Sequence, residues 1–198
     1  MKSVKGYYSN GEVQILGSSP ISKGTSVIIT FIEDNPFPQM NEEVFWDLIA
    51  HLNWKENLSN EEIVAPLVAM LHLMSESDIY LFQEILSEKL YLLDTKSHAE
   101  NIGEDSYKEN EFFSSDLFLY ARACVVANGK ECFEEVLKSP DKMPKDVDFE
   151  PLLYVAREAY FLKTNQTDFS TLTKYCYETF SNKEGWNLSR SILEIAKS

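Results

Sequence analysis

Apolar positions recur with a helical period from residue 41 onward. The first such stretch begins at Asn41, a good capping residue. Its apolar positions form one helix face, which consists of Val44, Phe45, Leu48 and Ile49. The same periodicity, read with capping and stop residues, predicts further helices. The predicted helices cover residues 41–52, 59–74, 75–94, 114–128, 130–139, 149–163, 169–180 and 186–196.

Two features interrupt this helical pattern. Pro66 lies inside the second predicted helix, so that helix either begins later or kinks at the proline. Residues 97–111 are polar and are predicted to form a loop or a frayed helix.

The first 33 residues follow a strand pattern instead. Asn10-Gly11 is a strong hairpin turn signal between residues 4–8 and 12–16, because both turn positions need positive φ. The β-branched residues 26–32 predict a third strand. We therefore predict an α+β fold that is mostly α: a small β hairpin or meander module in residues 1–35, followed by an all-α helical bundle in residues 40–198.

The net charge of −14 is concentrated in the middle of the chain. Residues 37–112 carry sixteen acidic and four basic side chains. One interpretation is a set of solvated helix faces. The other is a surface that steers a basic protein partner. Either way, the charge argues against binding to nucleic acid or to an anionic membrane.

The sequence also limits location and chemistry. No run of 18 apolar residues occurs, so no membrane span is expected, and no secretory leader is expected. Three cysteines without C-x-x-C spacing suit a reducing compartment, which makes the cytoplasm the expected location. No Walker loop, G-x-G-x-x-G or G-x-S-x-G motif occurs, so no catalytic residue and no cofactor are assigned.

Three motifs between residues 41 and 164 occur in an order and spacing that resemble an uncharacterised bacterial helical family, a domain of unknown function. The resemblance transfers no activity, because the family has none established. Residues 94–113 are longer and more polar than the corresponding stretch of that family. The motifs are Phe45-Trp46-x-Leu48-Ile49, then Asp116-x-Phe118-x-Tyr120-Ala121-Arg122-Ala123, then Phe149-Glu150-x-Leu152-Leu153-Tyr154.

A second pattern lies in residues 5–33, namely Tyr8-x-Asn10-Gly11-x-Val13-x-Ile15-Leu16 followed by Pro20-Ile21-x-x-Gly24. It is similar to the small β-rich antitoxin-like modules found with bacterial PIN-type ribonuclease toxins. The similarity implies a module that dimerises or holds a toxin, and it carries over no catalytic residues.

Two arginines are the candidate site residues, because Arg122 and Arg157 lie inside apolar helical runs. A buried guanidinium needs carboxylates or an anionic ligand. Asp116 and Glu158 are the nearest carboxylates in the motifs, which favours a buried ion-pair network that joins two helices. The alternative is an anion pocket in which both arginines clamp a ligand beside Asp116 and Tyr120.

Other reactive side chains lack a motif. His51, His72 and His98 show no metal-binding spacing, and the first two are interpreted as histidines at the edge of the core. Cys124 lies in an apolar run and is interpreted as a small hydrophobic residue, although a Cys–His nucleophile pair stays open. No metal site is predicted.

The sequence therefore favours a non-enzymatic, cytoplasmic bacterial protein-binding module, antitoxin-like or immunity-like. It would receive a basic protein partner on an acidic helical surface, and a homodimer through the N-terminal β module is a further expectation. The alternative is an enzyme or small-anion sensor with a pocket around Arg122, Arg157, Asp116 and Tyr120.

Overall fold

The structure is a computed structural model that describes residues 6–9, 12–15 and 38–187. The chain divides into two units, Met1–Asp34 and Asn35–Ser198. The second unit contains the apolar core described below.

Helices make up the regular structure of residues 38–187. Two short 3-10 helices, Pro140–Lys142 and Glu150–Tyr154, accompany the α-helices. The α-helices are α1 (Glu42–Ile49), α2 (Asn60–Leu71), α3 (Glu76–Leu92), α4 (Lys96–Ala99), α5 (Ser115–Ala127), α6 (Lys130–Lys138) and α7 (Val155–Thr164).

Short polar side chains fix where four of these helices begin. Asn41 accepts hydrogen bonds from two backbone N–H groups in the first turn of α1. Ser59 and Ser75 each form a capping box with the acidic residue three positions later, and Ser114 caps α5. These side chains bind the N–H groups that a helix start leaves without partners. The predicted helix starts at these four positions are confirmed.

Pro66 does not delay the start of α2. The helix begins at Asn60 and continues through the proline to Leu71. The capping box at Ser59 stabilises the first turn, which offsets the one backbone hydrogen bond that a proline removes.

The core lies where α3 meets α5 and α7. Phe82 of α3 and Phe118 of α5 are fully buried, as is Phe45 of α1. The ring centroids of Phe45 and Phe82 are 4.9 Å apart. This packing buries the apolar stripes that define the helices in the sequence.

The predicted helix over residues 169–180 is wrong, because residues 165–187, here called the C-terminal segment, form no regular helix or strand. Asn165 ends α7 in the left-handed conformation with φ of 57°. Over residues 169–180 half-buried and exposed residues alternate strictly, which is the period of an extended chain. The half-buried residues are Phe169, Thr171, Thr173, Tyr175, Tyr177 and Thr179.

The predicted fold class is also wrong, because the folded domain is all-α rather than α+β. Within residues 38–187 every regular element is helical. Gly6–Ser9 pairs antiparallel with Glu12–Ile15, but two four-residue segments do not make a sheet layer. Asn-Gly turns and alternation report local pairing only, and they do not predict a β layer in the core. The third predicted strand, residues 26–32, lies outside the described residues, as does most of the helix predicted over residues 186–196.

Candidate functional site

Arg122 is the largest fully buried side chain of the described core. Its Nη1 donates to the carbonyl oxygen of Leu90 at 2.7 Å, and its Nη2 donates to the hydroxyl of Thr179 at 2.9 Å. The guanidinium carbon lies 4.7 Å from the ring centroid of Phe118. The Nε atom is buried without a hydrogen-bond partner. The guanidinium is therefore bound by neutral groups.

The end of α3 supplies a favourable environment for this buried cation. Leu90 lies in the last turn of α3, where the carbonyl groups have no partners within the helix. The negative end of the helix dipole also favours a positive charge at this place. Burial lowers the pKa of Arg122 to about 10, so the side chain remains protonated at neutral pH.

Asp94 is the buried carboxylate nearest to this arrangement, and it is 0% exposed. Oδ1 accepts from the indole N–H of Trp186 at 2.7 Å and from the backbone N–H of Phe180 at 3.2 Å. Oδ2 accepts from the backbone N–H of Asn182 at 2.9 Å and from the hydroxyl of Ser181 at 3.3 Å. All four donors belong to the C-terminal segment.

Arg122 and Asp94 thus both bind the C-terminal segment. The Thr179 hydroxyl, bound by Arg122, in turn donates to the carbonyl oxygen of Ser115 at 2.7 Å. The negative charge of Asp94 favours the protonated form of Arg122. We call this arrangement the buried clamp; it consists of Asp94, Arg122 and Thr179.

The carboxylates that the sequence suggested as partners of the arginines lie elsewhere. Asp116 and Glu158 are both exposed. The six ion pairs found among the described residues all use lysines rather than arginines. Arg122 is hydrogen-bonded across the core, whereas Arg157 is exposed on α7 and lies 4.8 Å from the ring centroid of Tyr154.

Arg157 and Glu158 line the same cavity, whereas the buried Arg122 does not line it. This cavity, here called the α2–α7 groove, has a volume of about 540 Å³. Its walls are mainly apolar. The lining residues are Val68, Arg157, Glu158, Phe161, Leu162 and Thr167.

Tyr120 lies in a third environment, among carboxylates. Partial burial and the charge of Glu150 raise the pKa of Tyr120, and Asp116 and Asp148 act in the same direction. The structure therefore does not gather Arg122, Arg157, Asp116 and Tyr120 around one cavity.

A second cavity, here called the acidic recess, lies beside α5 and has a volume of about 220 Å³. Four exposed carboxylates surround it, and none has a lysine or arginine nitrogen within 4.0 Å among the described residues. Apolar side chains complete the wall. The lining residues are Ile102, Glu104, Asp105, Leu117, Ala121, Asp146, Val147 and Asp148.

His98 is a buried histidine that the sequence did not single out, and it is 3% exposed. Its Nε2 lies 3.1 Å from the carbonyl oxygen of Val136, and its Nδ1 lies 2.7 Å from the hydroxyl of Thr95. A neutral ring with the proton on Nε2 donates to Val136 and accepts from Thr95. Burial lowers the pKa of His98. By contrast, His51 is exposed and His72 half-buried.

Acidification is expected to destabilise the domain through His98. Because its pKa is lowered in the folded state, the unfolded chain binds the proton first as the pH falls below about 6.5. The stability that the neutral ring contributes is therefore present above that pH and is lost below it. H98Q should show a shallower pH dependence of the free energy of unfolding than wild type between about pH 7 and pH 5. Urea denaturation at successive pH values measures this slope, and equal slopes would contradict the assignment.

The cysteines provide no activated nucleophile in the core. Burial raises the pKa of the Cys124 thiol to about 11, so at neutral pH it is protonated and a poor nucleophile. Cys132 is half-buried and its pKa is also raised by burial. In the described part of the chain, no group of three or more His, Cys, Asp or Glu residues is arranged to hold a metal ion.

Comparison with known proteins gives a family for the helical domain. A family model described as "Protein of unknown function (DUF4240)" matches residues 40–161, which is more than half of the chain. The chain belongs to this family. No curated protein and no solved structure matches the chain.

The DUF4240 match confirms the resemblance to a domain of unknown function that the three motifs predict for residues 41–164. The resemblance of residues 5–33 to an antitoxin-like module receives no support from these comparisons, and that stretch lies largely outside the described residues. Among the described helices, none has the length and apolarity needed to cross a membrane.

The DUF4240 match also divides the buried clamp. Asp94 and Arg122 lie inside the matched residues 40–161, whereas Thr179 and all four groups that donate to Asp94 lie beyond them. Sequence reasoning found Arg122 because a charge inside an apolar run needs a partner. It missed Asp94, which follows α3 and looks like an ordinary helix-end residue.

Proposed function

We propose that the protein is a non-enzymatic cytoplasmic binding module that receives a basic protein partner. The support is the distribution of charge on the folded domain. Of the sixteen acidic side chains in residues 37–112, only Asp78 and Asp94 are buried. Among the four lysines of the same stretch, Lys89 is buried and pairs with Glu42 at 2.9 Å. The exposed surface of this region is therefore strongly negative.

The acidic recess is the observation that carries the proposal. Its carboxylates have no basic partner within the described residues, and Leu117 and Ala121 give it an apolar wall. A lysine or arginine side chain has matching chemistry, because its stem is apolar and its end is positively charged. The partner thus inserts one basic side chain into the recess, and the surrounding negative surface accelerates its approach.

Hydrogen bonds fix the backbone of the loops that form the recess. Asp146 takes the left-handed conformation with φ of 56°, and its Oδ1 accepts the backbone N–H of Glu104 at 2.6 Å. The Nζ of Lys145 donates to the carbonyl oxygen of Asn101 and, at 3.2 Å, to that of Asp141. These bonds join the two loops that supply the carboxylates of the recess.

Neutralising the recess is expected to weaken capture of the partner. The test compares tagged full-length protein, wild type and variants, in purification from native host cells at low salt, with mass spectrometry of the retained proteins. Wild type should retain a stoichiometric protein of high isoelectric point, and association should slow steeply as salt is added. The recess variant E104Q/D105N/D146N/D148N should weaken binding by about tenfold or more.

A control variant carries the same change in net charge at exposed acidic positions outside the recess. D47N/E56Q/E109Q/E184Q is expected to retain the partner within about threefold, because surface charges act mainly on the association rate. Absence of any stoichiometric basic partner would refute the proposal. Equal loss in both variants would refute the role of the recess.

A further inference from the structure

The α2–α7 groove combines an apolar wall with an accessible cation. Phe161 and Leu162, in the last turns of α7, are 45% and 57% exposed, and buried Val68 of α2 also lines the groove. The volume of about 540 Å³ lies in the range of small-molecule sites, about 300–1,000 Å³. Apolar area left in contact with water favours an apolar ligand.

Arg157 supplies the charged end of this groove. Its guanidinium lies 4.8 Å from the ring centroid of Tyr154, and such a contact with an aromatic ring restricts the orientation of the cation. No carboxylate oxygen of the described residues lies within 4.0 Å of it. As far as residues 38–187 are concerned, its N–H groups are therefore available for a bidentate interaction with a carboxylate.

We propose that the α2–α7 groove binds an amphiphilic monocarboxylate, a ligand with one carboxylate and an apolar chain or ring. The carboxylate pairs with Arg157, and the apolar part covers Phe161, Leu162 and Val68. Glu158 also lines the groove, and its negative charge disfavours a second carboxylate on the ligand. The hydroxyl of Thr167 is a further polar group at the lining. This site is separate from the acidic recess and does not depend on the partner proposed for it.

The net negative charge of the chain opposes the binding of any carboxylate ligand. A chain with a net charge of −14 repels anions in general, so saturable binding of a carboxylate requires a local cation. Octanoate, 1-octanol and octanedioate are suitable probes because they share one chain length and differ in the number of carboxylates.

Titration of the full-length protein with these probes, followed by ¹H–¹⁵N NMR, tests the proposal. Octanoate is expected to saturate with shift changes confined to the groove, and to bind about tenfold more tightly than 1-octanol because of its charge-assisted hydrogen bonds. Octanedioate should bind more weakly than octanoate, and E158Q should reduce that difference. R157Q should weaken octanoate binding by about tenfold, and L162S should weaken it through loss of apolar contact.

K163Q is the matched control, since Lys163 is an exposed cation on the same helix but does not line the groove. Its affinity for octanoate should stay within about twofold of wild type. Failure to saturate, equal affinities for octanoate and 1-octanol, or equal losses in R157Q and K163Q would each overturn the proposal. Any of these results leaves the acidic recess and its partner unaffected.

Discussion

Replacing Asp94 by alanine is expected to lower the free energy of unfolding by about 3 kcal/mol and to release the C-terminal segment. The carboxylate accepts four hydrogen bonds from residues 180–186. Without it, the buried indole N–H of Trp186 and the buried N–H of Asn182 lose their acceptor, and each unpaired donor costs about 1–3 kcal/mol. Urea denaturation gives the stability change, and limited proteolysis reports exposure of residues 165–187.

The exposed Asp47 of α1 provides the control. D47A should change the stability by no more than about 0.5 kcal/mol and should leave the rate of proteolysis unchanged. If D94A were as stable as D47A, Asp94 would not hold the C-terminal segment.

The second large effect is expected for Arg122. R122M keeps an apolar side chain of similar length but removes the bonds to the Leu90 carbonyl and the Thr179 hydroxyl. It also leaves the buried charge of Asp94 without its favourable neighbour. We expect a loss of about 3 kcal/mol, because two hydrogen bonds of a charged donor are lost, each worth about 1.5–3 kcal/mol. Urea denaturation at pH 7 measures it.

The other arginine whose contacts are described provides the comparison. Arg157 is exposed, so R157M should cost no more than about 0.5 kcal/mol. R122K should lie between R122M and wild type, because lysine retains the charge but cannot reach two acceptors in a fixed geometry. Wild-type stability in R122M would show that the buried cation is dispensable.

The two substitutions are expected to be non-additive. Asp94 and Arg122 both bind the C-terminal segment. Once the first substitution has released this segment, the second substitution has fewer contacts left to remove. D94A/R122M should therefore lose less stability than the sum of the single variants, by at least about 0.5 kcal/mol. Strict additivity would mean that the two charges act on independent parts of the fold.

The buried clamp connects the DUF4240 domain to a segment beyond the family match. Residues 40–161 match DUF4240, yet two of the most buried charged groups in that region bind a segment that lies beyond it. A domain truncated at the end of the match would leave Asp94 and Arg122 without these partners. Experiments on the full chain are therefore the appropriate ones.

The parts of the fold that the sequence predicts correctly are those set by residues close together along the chain. Ser59 and Ser75 cap helices through residues only three positions away, so the signal is contained in the sequence itself. The C-terminal segment differs, because the residues that hold it in place are distant in the sequence. Its alternation of Thr and aromatic residues is nevertheless a local signal for extended chain. This two-residue period, and not a helical one, describes residues 169–180.

The candidate sites were predictable only in part. The apolar neighbours of Arg122 correctly indicated burial, and the acidic block of residues 37–112 lies mostly on the surface. The partners of these groups were not predictable. Asp148 and Glu104 meet at the acidic recess, although they belong to distant parts of the sequence.

The sequence by itself determined the helix starts, the apolar stripes and the sign of the surface charge, because each depends on residues within one or two turns of one another. Only the tertiary structure decided which charges meet. The indole of Trp186 reaches Asp94 across 92 residues, and the guanidinium of Arg122 reaches Thr179 across 57. Such contacts depend on how helices pack and on the path of a segment without regular secondary structure, and packing geometry has no period that a single sequence displays.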